Sequence, residues 1–177
     1  RGMQTLLFTP IIDTRHQEGL IRSRIGLSDE ALAFTATDNL FEITQTLQKK
    51  IGYACVLIDE AQFLTRQQVH QLTEITDNLS IPVLAYGLRT DFKGELFAGS
   101  QYLLAWADEL CELKTICHCG RKAIMNMRID ATGKTVIEGK QVQIGGNESY
   151  VSTCRIHFKQ GEPGVLISPT NKEKEYS

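Results

Sequence analysis

The sequence predicts an α/β domain built on a parallel sheet, followed by a small antiparallel β appendix. Three observations carry this expectation. The runs YACVLID (53–59) and PVLAYGL (82–88) are continuous, apolar and of strand length, the pattern of strands covered on both faces. Segments with apolar residues at helical spacing alternate with them. After Leu113 the texture changes to short β-like pieces separated by turn residues.

Taken in order, QTLLFT (4–9) reads as the first strand, and the polar stretch DTRHQEGLIRSRIG (13–26) has no period and reads as a long loop. A helix starts at Asn39: Glu42 three residues on completes a capping-box pattern, Leu40, Ile43, Leu47 and Ile51 share a face, and Gly52 ends it. After the strand at 53–59, Thr65 and Gln68 predict a second capping box. Val69, Leu72, Ile75 and Leu79 then fall on one helical face up to a boundary at Pro82. The strand at 82–88 and a helix over FAGSQYLLAWADEL (97–110) follow. DATGK (130–134) is a turn between two short strands, and the segment from Lys159, with Gly, Pro and charges but no period, reads as a tail. The expected organisation is an α/β domain over 1–113, a β appendix over 114–160 and a flexible tail over 161–177.

Composition narrows the function classes. With 177 residues, 42% of them hydrophobic, the chain can bury one sizeable core. A net charge of -2 and a pI near 6.1 argue against a broad grip on nucleic acid or an acidic membrane, which needs clustered excess cations. No apolar stretch approaches the roughly 20 residues of a membrane span, so a soluble, cytoplasmic protein is expected. Arg1 at the start suggests that the sequence begins inside a longer protein. Five cysteines, at 55, 111, 117, 119 and 154, are an odd number for a disulfide framework, and Cys55 sits in an apolar run as a small hydrophobe.

Two groups of residues carry chemistry. VLIDEAQF (56–63) runs an apolar strand into two adjacent carboxylates, Asp59 and Glu60. In an open α/β sheet, ligands bind outside the carboxyl ends of the strands. An aspartate there can hold Mg²⁺ through water, and a glutamate beside it can accept a proton from a hydroxyl. The plainer reading makes Asp59 a loop cap and Glu60 a solvated charge. Phe63, Phe92 and Phe97 all follow strand ends, where they can sandwich a planar ligand or simply fill the core. The second group pairs Cys117-x-Cys119 with Cys154-x-x-His157 across a β-rich loop. Three thiols and an imidazole suit a closed, tetrahedral structural zinc site, and Gly120 permits the sharp turn of a knuckle. Free thiols with a surface histidine are the alternative, and Cys-x-Cys is shorter than the usual ligand spacing.

With VLIDEAQF, LAYGLRTDFKGELF, TICHCG, GGNESYVSTCRIH and the early DTR and SRIG in the same order, the chain resembles the cytosolic, zinc-containing (type II) thymidine kinases, enterobacterial members in particular, from about residue 2 to 160. The resemblance implies a P-loop NTPase-like (RecA-like) parallel sheet with a zinc-held lasso domain. It also implies transfer of the γ-phosphoryl of ATP to the 5′-hydroxyl of thymidine. Carried over motif by motif, Glu60 is the general base and Asp59 serves Mg²⁺, with Ala61 and Gln62 in the same nucleotide-site motif. Asp13 and Arg15 lie near metal and phosphates, and Arg24 assists them. Phe63, Leu88, Phe92 and Phe97 line the nucleoside pocket, Tyr150 closes it, and backbone near Ile144 and Gly145 reads the pyrimidine. Cys117, Cys119, Cys154 and His157 are the zinc ligands. A homotetramer and feedback by dTTP are implied as well.

The family begins with a strand and a Gly-rich loop ending in Lys-Ser or Lys-Thr, and G-x-x-x-x-G-K-[ST] occurs nowhere here. An upstream segment of roughly 30 residues, one strand-loop-helix unit, is the expected source of that loop, with a naturally truncated, inactive relative as the alternative. A competing reading is a non-catalytic zinc-ribbon interaction module on an α/β scaffold. It would favour a basic, aromatic-studded appendix, whereas residues 114–128 contain no aromatic.

Overall fold

The first apolar run becomes an inner strand of a four-stranded parallel sheet in the computed structural model, which describes residues 3–11, 20–22, 28–141 and 149–164. Strand β1 (Thr5–Pro10) is followed by an antiparallel pair, β2 (Leu20–Arg22) and β3 (Ser28–Glu30), and then by β4 (Leu32–Phe34). Helix α1 (Leu40–Ile51) leads to β5 (Cys55–Ile58), and α2 (Arg66–Leu79) leads to β6 (Val83–Ala85) and α3 (Ala98–Trp106). The sheet order is β4-β1-β5-β6, with Leu7 opposite Leu57 and Leu57 opposite Leu84. Parallel neighbours need crossovers, which α1 and α2 supply.

Burial alternates along the inner strands. Leu6, Phe8, Val56 and Ile58 are buried, while Leu7, Cys55 and Leu57 are only half-buried. The expected cover on both faces is therefore seen on one face among the described residues. That face packs on Leu40 of α1 and on Val69, Leu72 and Ile75 of α2 to form the main core. Each such aliphatic contributes about 1.5–3 kcal/mol by leaving water.

Local sequence explains the helix limits. Asn39 Oδ1 accepts from the Glu42 N–H at 3.2 Å, and Gly52, at φ 78°, closes α1 with its N–H on Gln48 O. Thr65 and Gln68 form the reciprocal capping box, each bond 3.1 Å. Helix α3 stops at Trp106 rather than reaching residue 110. Asp108 and Glu109 would place negative charge at the negative end of the helix, which disfavours extension. The expected loop at 13–26 also needs correction, because residues 20–22 pair with 28–30; three-residue strands leave no readable period.

The described residues fall into two units. One contains those up to Arg89 with Leu96–Cys111, and the other contains Thr90–Glu95 and those from Glu112 onward. In the second, β7 (Thr115–Ile116) and β8 (Lys122–Ala123) form a hairpin. Strands β9 (Met125–Ile129), β10 (Thr135–Val136) and β11 (Ser149–Thr153) form an antiparallel sheet with β9 in the middle. The turn joining β9 to β10 is the DATGK segment. Asp130 Oδ1 there accepts from the Thr132 hydroxyl at 2.7 Å and the Lys134 N–H at 3.0 Å, which holds its carboxyl below the usual aspartate range. Residues 155–160, expected as strand and tail, form a helix instead, α4 (Arg155–Gln160), ended by Gly161 at φ 69°. Among the described residues no helix is long and apolar enough to cross a membrane.

Candidate active site and metal centre

Strand β5 carries its apolar run up to Ile58, and the Asp59 N–H closes the ladder on Phe8 O at 2.9 Å. The backbone then turns sharply. Glu60 adopts the left-handed region at φ 50°, ψ 39°, and a short 3₁₀ turn, Ala61–Phe63, follows. Asp59 Oδ1 accepts from the Glu60 N–H at 2.9 Å, and the Ala61 N–H bonds Tyr86 O at 2.8 Å. The result is an exposed Glu60 beside a half-buried Asp59 at the carboxyl end of an inner parallel strand. Glu60 Oε2 accepts from Gln62 Nε2 at 2.5 Å.

Of the aromatic candidates, Phe63 and Phe97 meet edge to face, with centroids 5.7 Å apart at 76°. Phe97 is buried and precedes α3, and Leu88, 43% exposed, lies in the loop between β6 and α3. Phe92 belongs to the second unit, where the buried Arg128 guanidinium sits 3.7 Å over its ring. Arg128 also donates to Glu138 O at 2.8 Å and Lys140 O at 3.1 Å. Tyr150, on β11 opposite Arg128, is 52% exposed. Asp13, Arg15, Arg24, Ile144 and Gly145 lie outside the described residues.

The cysteines and histidine converge. Cys117 and Cys119 come from the β7–β8 knuckle, and Cys154 and His157 from the start of α4, where a three-residue spacing puts both on one face. Their four ligand atoms all lie within 4.8 Å of one another. Cys119 and Cys154 sulfurs are 3.9 Å apart, and His157 Nδ1 is 3.4 Å from Cys117 Sγ and 3.7 Å from Cys154 Sγ. A tetrahedron with zinc–sulfur bonds of about 2.3 Å and a zinc–nitrogen bond of about 2.0–2.1 Å has edges of about 3.8 and 3.6 Å, so the donors fit zinc. His118 stacks on His157 at 4.2 Å and 19°, which orients the His157 ring. Burial pushes the Cys117 thiol up, but the backbone N–H of Cys119 and the His157 ring outweigh it and bring it down to about 5. Cys119 is held high: the N–H of Arg121 lowers it, but burial and the sulfurs of Cys117 and Cys154 raise it more. Binding a cation there would require these thiols as thiolates and would release their protons.

The thymidine kinase family model matches residues 1–158, across both groups of residues. The chain belongs to the thymidine kinase family. It is 73% identical over 173 residues to a thymidine kinase of Legionella pneumophila (strain Lens), covering 97% of this chain and 82% of that protein. It is 59% identical over 169 residues to one from Salmonella typhimurium (95% and 82%), and 57% identical over 160 residues to one from Rhodopirellula baltica (90% and 76%). For this thymidine kinase family member, sequence reasoning passed over Gly87 and Gly99. A Cβ at Gly87 would come within 2.6 Å of Gln62 Oε1, and one at Gly99 within 2.6 Å of Ala61 O. A glycine at a strand end and another inside a first helical turn are the signals of close backbone approach that mark them.

Proposed function

We propose that the chain transfers the γ-phosphoryl group of ATP to the 5′-hydroxyl of thymidine, giving thymidine monophosphate and ADP. The observation that carries this reading is the exposed Glu60 carboxylate at the open end of β5, paired with Asp59 and hydrogen-bonded by Gln62. Glu60 takes the proton of the 5′-hydroxyl as its oxygen attacks the γ-phosphorus; the bond from that phosphorus to the β–γ bridging oxygen breaks, and ADP departs with the electron pair. A bound Mg²⁺ would neutralise charge on the phosphates, and Asp59, with Asp13, would hold it through water. Arg15 and Arg24 add positive charge at the transferring group. The family resemblance assigns nucleoside binding to Phe63, Leu88, Phe92, Phe97, Ile144, Gly145 and Tyr150. Zinc in the three-cysteine, one-histidine set has no open coordination position, so its role is structural.

The family resemblance extends the reading to a cytoplasmic homotetramer restrained by dTTP. The zinc-ribbon interaction module is not favoured, because the family match spans the α/β segment as well as the cysteines. The test is Glu60→Gln in the full-length gene product. Turnover should fall at least about a hundredfold while thymidine affinity, read from protection against thermal unfolding, changes little. Near-normal turnover would remove Glu60 from the mechanism.

A further inference from the structure

We infer that Gln62 is a positioning residue that ties the proton acceptor to the nucleoside-side loop, an inference that rests on the function proposed above. Its side chain is 2% exposed and committed at both ends. Nε2 donates to Glu60 Oε2 at 2.5 Å, and Oε1 accepts from the Leu88 N–H at 3.0 Å. The amide orientation is unambiguous, because a carboxylate can only accept and a backbone N–H can only donate. Leu88 is held from the other side as well, its carbonyl accepting from Ser100 Oγ at 2.6 Å in the first turn of α3.

A surface glutamate on a single left-handed residue has free side-chain torsions, and proton transfer needs its carboxylate in one place. The buried amide supplies that constraint and transmits it to the backbone at Leu88. Gly87 leaves room for it, since a Cβ there would strike Oε1. At 2% exposure the amide is buried, which sets Gln62 apart from a surface donor that a nucleotide would meet directly. One side chain thus sets two quantities, base placement through Nε2 and loop placement through Oε1, and different substitutions separate them.

The experiment is steady-state kinetics in both substrates for wild type, Q62E, Q62M and G87A in the full-length protein, with E60Q alongside. In Q62E an oxygen still accepts from the Leu88 N–H while the other faces Glu60, so kcat should drop about ten- to a hundredfold with thymidine KM within twofold of wild type. In Q62M both bonds are lost, so kcat falls and thymidine KM rises. G87A, which displaces the amide without changing it, should resemble Q62M. ATP KM stays near wild type in all three. Wild-type kcat in Q62E, or equal changes of both parameters in Q62E and Q62M, would overturn the positioning role. A dominant rise in ATP KM would overturn it too, by making Gln62 a nucleotide contact. A fully active E60Q would instead sink the proposed base and leave the Gln62 result readable on its own.

Discussion

Glu60 holds a conformation that glycine adopts freely and glutamate does not. A non-glycine residue in the left-handed region costs about 1 kcal/mol or somewhat more, and such outliers persist where the surroundings over-determine them. Here the constraints are the Asp59 carboxylate on the Glu60 N–H, the Gln62 amide on its side chain and the Ala61 N–H on Tyr86 O. These imply an inversion of the usual alanine-over-glycine preference. Glu60→Gly loses the bond to Gln62, worth about 1 kcal/mol, but releases the backbone strain, so its stability should stay near wild type. Glu60→Ala loses the same bond and keeps the strain, and should be about 1 kcal/mol less stable than Glu60→Gly. Urea unfolding of the two variants checks this, and an alanine variant at least as stable as the glycine one would refute stored strain. Both variants should be inactive. The paired carboxylates were legible because an apolar strand ending in two acids is a pattern, whereas nothing in the letters of VLIDEAQF announces a left-handed glutamate or a two-ended buried amide.

At the scale of elements, α1 and α2 start from one shared joint. Asp38 accepts from the Thr35 N–H at 2.6 Å and the Thr35 hydroxyl at 2.8 Å, and Gln68 Nε2 donates to Thr35 O at 2.8 Å and Asp38 O at 3.2 Å. The Thr35 backbone N–H, then its hydroxyl, hold the Asp38 carboxyl below its ordinary range. A carboxylate depressed in the folded state adds stability above the unfolded pKa of about 4, and that contribution disappears as pH falls through the lower folded value. Asp38→Asn should therefore destabilise at pH 7 and make progressively less difference below about pH 4. Urea midpoints of variant and wild type across that range measure it, and a pH-independent difference would exclude the charge as the cause. The same joint explains what could be read in advance. Asn39 with Glu42 and Thr65 with Gln68 are local signals, and the apolar faces they open are long enough to show a period. Strands β2, β3 and β4 have three residues each, too few to show a period, and β4 is fixed by a partner distant in sequence, with Phe8 opposite Leu32. Helix α4 is only six residues long and reads as β by composition.

For the whole molecule, the two units differ in what holds them. The first has a core of twelve buried residues contributed by strands and helices far apart in sequence. The second has a cluster of Cys117, Ala123 and Cys154, two of which belong to the three-cysteine, one-histidine group that could hold zinc, so that apolar burial and the metal-binding arrangement share contacts there. The ligand types were legible from two short motifs, but their convergence depends on α4 turning His157 back toward the knuckle, a tertiary fact that spacing does not contain. A structural zinc contributes on the order of 10 kcal/mol to such a unit, which exceeds what a three-residue cluster can offer. Chelation at neutral pH should therefore unfold the second unit and leave the first in place. Hydrogen exchange reads the two separately: amides of β9 and β11 should lose protection on chelation, and those of α2 and β5 should keep it. Cys154→Ser should reproduce the pattern without chelator. Added zinc should restore protection to the chelated protein and not to the variant, because three remaining ligands leave the tetrahedron open. Unchanged protection at β9 after the metal has been shown to leave would mean that the Arg128–Phe92 stack and the sheet around it suffice, and that zinc is not what holds this unit together.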